Sequence, residues 1–187
     1  MISYNSGMTK PYLFLMMGMP GSGKSFVAEW LSPKLHAVHL RSDDMRLAMF
    51  GEPRLELHRN PAYRKQLYGA MDYAARQPLA AGHSVIYDAN LNWRRSRARL
   101  RRMAEQYNAT AVIIFLEMDT ETAHQRVIER ANHGGHPNFE LSYVERMANN
   151  IEPPTADEPT ITLDGKATDS EQQASFTKQL KSLNTLQ

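Results

Sequence analysis

With 187 residues, 42% apolar side chains and a formal charge of +2, the chain has room for one sizeable core, and no second fold is expected; the charge is too small to act as a global basic field on nucleic acid. The lack of cysteine removes disulfides, thiol nucleophiles and cysteine metal sites together. The longest apolar run, around Leu13 to Met19, is too short for a membrane span, is broken by Gly18 and Pro20, and follows a polar stretch unlike a secretory leader, so a cytoplasmic protein without a membrane partner is expected.

In chain order, Met1 to Thr9 is polar, and residues 1–10 are expected to be a flexible tail in which Met8 is an alternative start. Residues 11–187 are expected to form one domain. Tyr12-Leu13-Phe14-Leu15-Met16-Met17 is an apolar run of strand length. Gly18-Met19-Pro20-Gly21-Ser22-Gly23-Lys24-Ser25 follows and satisfies the phosphate-loop pattern of Gly, four residues, Gly-Lys-Ser/Thr. Ser25 to Leu31 then has helical spacing of apolar residues, which Pro33 is expected to interrupt.

A strand before the loop and a helix after it are the context in which this pattern holds a nucleotide's phosphates. Gly18, Gly21 and Gly23 let the backbone N–H groups turn inward, and the positive end of the helix dipole adds to the attraction for anions. Lys24 is placed to reach the outer phosphates, and the Ser25 hydroxyl to be a ligand of the Mg²⁺ that travels with the nucleotide. The alternative, a glycine-rich turn with an incidental lysine, is disfavoured by both flanks.

Ala37 to Arg41 reads as a second strand running into a helix from Ser42 to Gly51, with Ser42 as cap and Asp43 and Asp44 in the first turn. Asn60 and Pro61 open a long helix with Tyr63, Leu67, Ala70, Met71 and Ala74 as its apolar stripe, and Gly82 stops it. Ser84 to Asp88 is a third strand, continued by Ala89-Asn90-Leu91-Asn92 and a helix from Trp93 to Tyr107. Ala111 to Glu117 is a buried strand; Thr120 caps a further helix carrying Ala123, Val127, Ile128 and Ala131 on one face, until Asn132-His133-Gly134-Gly135-His136-Pro137 breaks it. A short helix from Leu141 to Asn149, a proline-marked connection, a last strand from Thr160 to Asp164 and a C-terminal helix complete the chain. Strands alternating with helices imply an α/β fold of three layers, the phosphate-loop NTPase type: about five parallel strands, helices on both faces, and a small helical lid over about residues 126–149.

Ligands in such sheets bind beyond the carboxyl ends of the strands, where this chain places the loop, then Asp43 and Asp44, then Asp88 and Asn90. Transfer of a phosphoryl group to an alcohol needs a base, cations around the moving phosphoryl and a closed site. Asp43 is the candidate base; Lys24, Mg²⁺ and one or both of Arg126 and Arg130 are the cations; the glycines at 134 and 135 make the adjoining helices a lid. Competing readings stay open: Asp43 as a helix-dipole partner, Arg46 as its ion-pair partner, and Arg126 with Arg130 as a solvated surface pair. The run Arg94, Arg95, Arg97, Arg99, Arg101 and Arg102 fans over the face opposite Leu100, Met103, Ala104 and Tyr107, as a solvated face or as contacts to a phosphate backbone. His133 and His136 lack further ligands for a metal site.

The phosphate loop, then Ser42-Asp43-Asp44-Met45-Arg46 after the second strand, then Asp88-Ala89-Asn90-Leu91-Asn92 after the third, resemble the 5′-hydroxyl kinase domain of bacteriophage polynucleotide kinase. Its wider relatives are AAA-type kinases, toxin-like kinases for nucleotide sugars and antibiotic phosphotransferases. The resemblance covers about residues 11–165. It implies that Asp43 is the general base, that Arg46 binds the acceptor, that Asp88 and Asn90 lie on the acceptor side, and that Arg130 is a lid arginine near the phosphates; Arg126 stands in for a basic residue the family often carries after Arg130. The expected reaction is therefore transfer of the γ-phosphoryl of ATP, with Mg²⁺, to an alcohol. The expected partners are a nucleotide and a hydroxyl acceptor, first the 5′ end of a single-stranded polynucleotide and second a small metabolite hydroxyl; a nucleotide-dependent switch without acceptor is the rival class. The sequence carries no signal for an oligomeric state.

Overall fold

The computed structural model describes residues 10–51, 60–133 and 140–185. Its five strands form one parallel sheet in the order β2-β3-β1-β4-β5. They are β1 (Tyr12–Met17), β2 (Val38–Arg41), β3 (Val85–Asp88), β4 (Thr110–Glu117) and β5 (Thr160–Asp164). The helices among the described residues are α1 (Lys24–Leu35), α2 (Ser42–Phe50), α3 (Pro61–Ala80), α4 (Arg94–Gln106), α5 (Thr120–Asn132), α6 (Leu141–Asn149) and α7 (Asp169–Thr185). The five-stranded α/β architecture expected from the alternation of elements is the one observed.

The reason lies in β1, buried at every position because helices cover both faces of a parallel sheet. Tyr12, Phe14 and Met16 point into one core with Val27 and Leu31 of α1 and Phe176 and Leu180 of α7. Leu13, Leu15 and Met17 point into the other, with Leu67 and Met71 of α3 and Leu100 and Met103 of α4. Burying each such side chain contributes about 1.5–3 kcal/mol, and a slip of one residue would exchange the two sets, so the register of Leu13 opposite Val85 and Ala111 is strongly specified. At the β5 edge, Gln179 of α7 accepts from the Thr162 N–H and donates to the Thr162 carbonyl, occupying groups that would otherwise pair with another strand.

Four local expectations need correction. Pro33 does not end α1, which runs to Leu35 and closes at His36 in the left-handed conformation; the N–H it withholds leaves the carbonyl of Glu29, a solvent-facing residue, without its helical donor. Ser42 is the first residue of α2 rather than its cap, a position taken by Arg41 without a side-chain bond. Asp119, not Thr120, caps α5, its carboxylate accepting from the Thr122 N–H at 2.9 Å; on the same helix Ala123 and Val127 are buried while Ile128 is exposed. On α3 the buried stripe is Leu67, Met71, Ala75 and Leu79, a four-residue spacing that puts Ala74 beside rather than in the core; Tyr63 continues the same spacing but is exposed, packed edge-on against Phe50 of α2.

Helices α5 and α6 build a third, smaller cluster in which Ala123, Val127 and Val144 pack on Met19 of the phosphate loop. Gly134, Gly135 and His136, like the tail at 1–9, lie outside the described residues.

Candidate active site

The carboxyl ends of β1, β2, β3 and β5 open onto one cleft of about 860 Å³, the place where parallel sheets present their ligands. The phosphate loop forms its floor. A side chain at Gly21 would put its Cβ 2.1 Å from the Ala123 carbonyl oxygen, so the loop's approach to α5 demands glycine. Gly23 adopts φ +96° with nothing within 4 Å of its missing Cβ; glycine is needed there for the conformation, and the space beside it is open to a ligand. The loop delivers the chain into α1 with the free N–H groups of the first turn at the cleft, the arrangement that binds anions.

Lys24 bends back to donate to the carbonyls of Gly18 at 2.9 Å and Met19 at 2.7 Å. Burial lowers its pKa to about 8; Asp88 opposes that shift, Arg130 reinforces it, and Asp43 opposes it more weakly. The same carboxylate of Asp43 opposes the lowering that burial imposes on the half-buried Arg130, whose Nε is buried without a partner among the described residues. Lys24 is therefore within electrostatic reach of Asp43, Asp88 and Arg130, and Arg130 of Asp43, although the four come from four different elements.

Asp43 also accepts from Nη1 of Arg46 at 2.5 Å, one turn along α2, and Arg46 is buried. The ion-pair reading of Arg46 is thus realised in a residue that also lines the cleft. Asp88 is buried and faces Nε2 of His39 on the neighbouring strand at 3.2 Å. Asn90 accepts from the Asn92 N–H at 3.3 Å and holds its amide toward the Met147 sulfur. Arg126 donates to the Gly165 carbonyl at 2.9 Å, which ties α5 to the turn after β5.

Of the site residues read from the sequence, Gly18, Pro20, Gly21, Gly23, Lys24, Ser25, Asp43, Arg46, Asp88, Asn90, Arg126 and Arg130 line this one cleft. Met19 and Ser22 are buried away from it, Met19 in the cluster it forms with α5 and α6. The sequence reading missed Arg64 and Tyr68 of α3, Trp93, Tyr143 of α6, Gly165 and Gln172, all of which line the same walls. Gly165 had a legible signal, since it directly follows a strand as Gly18 does; the others are brought in by helix packing.

The arginine run is not a free basic stripe. Arg97 is fully buried and forks onto Glu158 through Nε and Nη2, both at 2.9 Å; Arg99 pairs with Asp72, and Arg101 and Arg94 pair with Asp157 at 3.0 and 3.4 Å. Arg97 lies on the buried face with Leu100 rather than opposite it, because residues three apart share a helix face. Arg95 and Arg102 remain exposed. His133 bonds the Glu129 carbonyl, and among the described residues no three His, Asp or Glu side chains gather as a metal site. The donor set suits Mg²⁺ carried by a nucleotide: the Ser25 hydroxyl stands at the open cradle beside Gly23, leaving the remaining positions to phosphate oxygens and water. No described helix is long and apolar enough to cross a membrane.

A family model described as AAA domain matches residues 13–154. Among solved structures, a provisionally named kinase from Chloroflexus aurantiacus superposes with a TM-score of 0.73 at 21% identity, covering 96% of this chain and 98% of that one. A gluconokinase from Sinorhizobium meliloti gives 0.64 at 20% identity over 92% of this chain and 93% of that one. A chain of the Pnkp1/Rnl/Hen1 RNA repair complex gives 0.67 at 24% identity over 79% of this chain and 46% of that one. At these identities the likeness is one of fold. No curated protein matches significantly in sequence.

Proposed function

From its place in the AAA domain family, to which this chain belongs, we propose that the protein is a phosphotransferase that moves the γ-phosphoryl group of ATP to an alcohol. The observation that carries the reading is the position of Asp43: a carboxylate at the end of β2, in the cleft of the phosphate loop and electrostatically coupled to Lys24 and Arg130. A hydrolytic switch has less need of such a base beside a lid.

In the proposed reaction the acceptor hydroxyl gives its proton to the Asp43 carboxylate as its oxygen bonds the γ-phosphorus. The bond from that phosphorus to the β,γ-bridging oxygen breaks, and ADP leaves with the electron pair. The loop amides and Lys24 hold the phosphates, and Arg130 faces the charge that spreads over the moving group. The Ser25 hydroxyl would hold the Mg²⁺ that accompanies the nucleotide, an ion that would supply further positive charge to the phosphates. Arg46 fixes the direction of the Asp43 carboxylate, and Asp88 and Asn90 form the acceptor wall.

The motif order supports the 5′-hydroxyl of a polynucleotide as first acceptor. A second reading, a small metabolite hydroxyl, is favoured by the pairing of Arg94, Arg97, Arg99 and Arg101 with acids, which removes much of the charge a phosphate backbone would need. The test is transfer of label from γ-labelled ATP with Mg²⁺ to 5′-hydroxyl oligonucleotides, nucleosides, sugars and aminoglycosides beside an acceptor-free control. Label on an oligonucleotide supports the first acceptor and label on a small molecule alone the second. Release solely as phosphate overturns the kinase reading.

A further inference from the structure

Asn92 does not line the cleft, and yet three parts of the site meet on it. Its Oδ1 accepts from the N–H of Gly18, the first amide of the phosphate loop, at 3.1 Å in a buried contact across 74 positions of sequence. Its own N–H donates to Asn90, the acceptor-wall residue. Its carbonyl accepts from the N–H of Glu152 at 2.9 Å, in the segment that returns from α6. Only 1% of Asn92 is exposed.

The return segment is itself fastened to the same place. The Glu152 carboxylate accepts from the Arg94 N–H at 2.6 Å, supplying from a distance the cap that Trp93 does not give to α4. Arg97, while forked onto Glu158, also donates to the carbonyl of Leu91 at 3.2 Å and that of Pro153 at 3.4 Å. Thr155 adds its N–H and hydroxyl to the Glu158 carboxylate. The loop from Ala89 to Trp93 thus has a rigid outer support in the Arg97–Glu158 pair, and its direct tie to the phosphate loop is one side-chain amide.

We infer that Asn92 is a positioning residue that locks the acceptor-side loop to the first amide of the phosphate loop, so that acceptor and γ-phosphate are held in register. The Gly18 N–H is inside the protein, away from water, so losing its acceptor leaves an unpaired donor and frees the loop to shift. Transfer depends on reacting atoms being held within about 3–3.5 Å, and a displacement of about 1 Å costs on the order of 100-fold. Nucleotide binding, carried by the loop amides and Lys24, depends on it less. The inference rests on the phosphotransferase reading for its catalytic consequence, but its structural half does not.

The experiment compares wild type with Asn92→Leu, which keeps the branched outline and removes the acceptor, and Asn92→Asp, which retains an oxygen for the Gly18 N–H. Asn92→Ser, polar but too short to reach, replaces the leucine variant should that one fail to fold. Mg–ADP binding, hydrogen exchange at residues 88–93 with and without Mg–ADP, and the ratio of transferred label to released phosphate are measured on each. In wild type, Mg–ADP is expected to slow exchange in the loop. Asn92→Leu is expected to abolish that protection, keep ADP affinity within about threefold and lower kcat for transfer by roughly 10- to 100-fold, with a larger share of label released as phosphate; Asn92→Asp is expected to restore protection and the transfer ratio. Protection in wild type without any labelled acceptor would defeat the kinase reading and leave the positioning role standing. Absent protection in wild type, unchanged protection in Asn92→Leu, or equal loss in the leucine and aspartate variants overturns the inference.

Discussion

Asp43 and Arg46, one turn apart on α2, form an ion pair with Oδ1 and Nη1 2.5 Å apart, and both face the cleft that holds Lys24. The short spacing keeps the carboxylate from rotating out of the site. Asp43→Asn preserves the shape and removes the base, so transfer is expected to fall by about 10²- to 10⁴-fold while Mg–ADP binding stays within a few fold. Single-turnover transfer beside ADP titration checks this; undiminished transfer would refute the assignment of Asp43 as base.

Lys24, with its pKa lowered to about 8 by burial, leads to a pH dependence of nucleotide binding. Phosphates favour the protonated amine, so its pKa in the complex must be higher than in the free protein. Below about pH 8 the amine is charged in both states and affinity is level. Above it the free protein has lost the proton that the complex retains, so affinity falls by up to about tenfold per pH unit, with proton uptake on binding. Calorimetry in buffers of different ionisation enthalpy measures that uptake, and Lys24→Met is expected to remove both the affinity and the pH slope.

Arg126 and Arg130 of α5 should separate kinetically. Arg130 sits half-buried within the fields of Lys24 and Asp43, whereas Arg126 is occupied with the Gly165 carbonyl. Arg130→Ala is expected to lower kcat by roughly 10²-fold, and Arg126→Ala to raise KM for ATP with a smaller change in kcat. Initial rates over ATP concentration distinguish these outcomes.

Breaking the buried pair of Arg97 and Glu158 should cost stability rather than chemistry alone. Arg97→Met leaves the buried Glu158 carboxylate without its cation and is expected to lose about 3–5 kcal/mol, against a much smaller loss for Arg101→Ala, whose partner Asp157 is exposed. Urea denaturation of the two variants provides the comparison.

Gly21→Ala is expected to disturb the phosphate loop, because the new methyl would meet the Ala123 carbonyl and the residue sits at φ +84°. Loss of ADP binding with a lowered Tm is the expected result. Unchanged affinity would show that α5 yields easily.

Much of the framework was legible in the chain itself. Local patterns carried it: the apolar run of β1, the glycines and lysine of the phosphate loop, and acids directly after β2 and β3 are set by residues near one another in sequence, and the physics that shapes them is equally local. That is why the strand at Thr160–Asp164 and the helix at Leu141–Asn149 were placed correctly, and why errors clustered where competing local signals met, at Pro33, Ser42 and Thr120. The tertiary structure decided what each charged and aromatic group faces. Arg97 becomes an internal strut because Glu158, 61 residues away, arrives beside it; Tyr68, Trp93 and Tyr143 become walls of the cleft because α3, the loop after β3 and α6 converge there. Asn92, legible only as part of a motif, acquires its tie to Gly18 when β3 and β1 lie side by side. Contacts between segments far apart in sequence depend on how the layers pack, and spacing along a single chain carries no record of that.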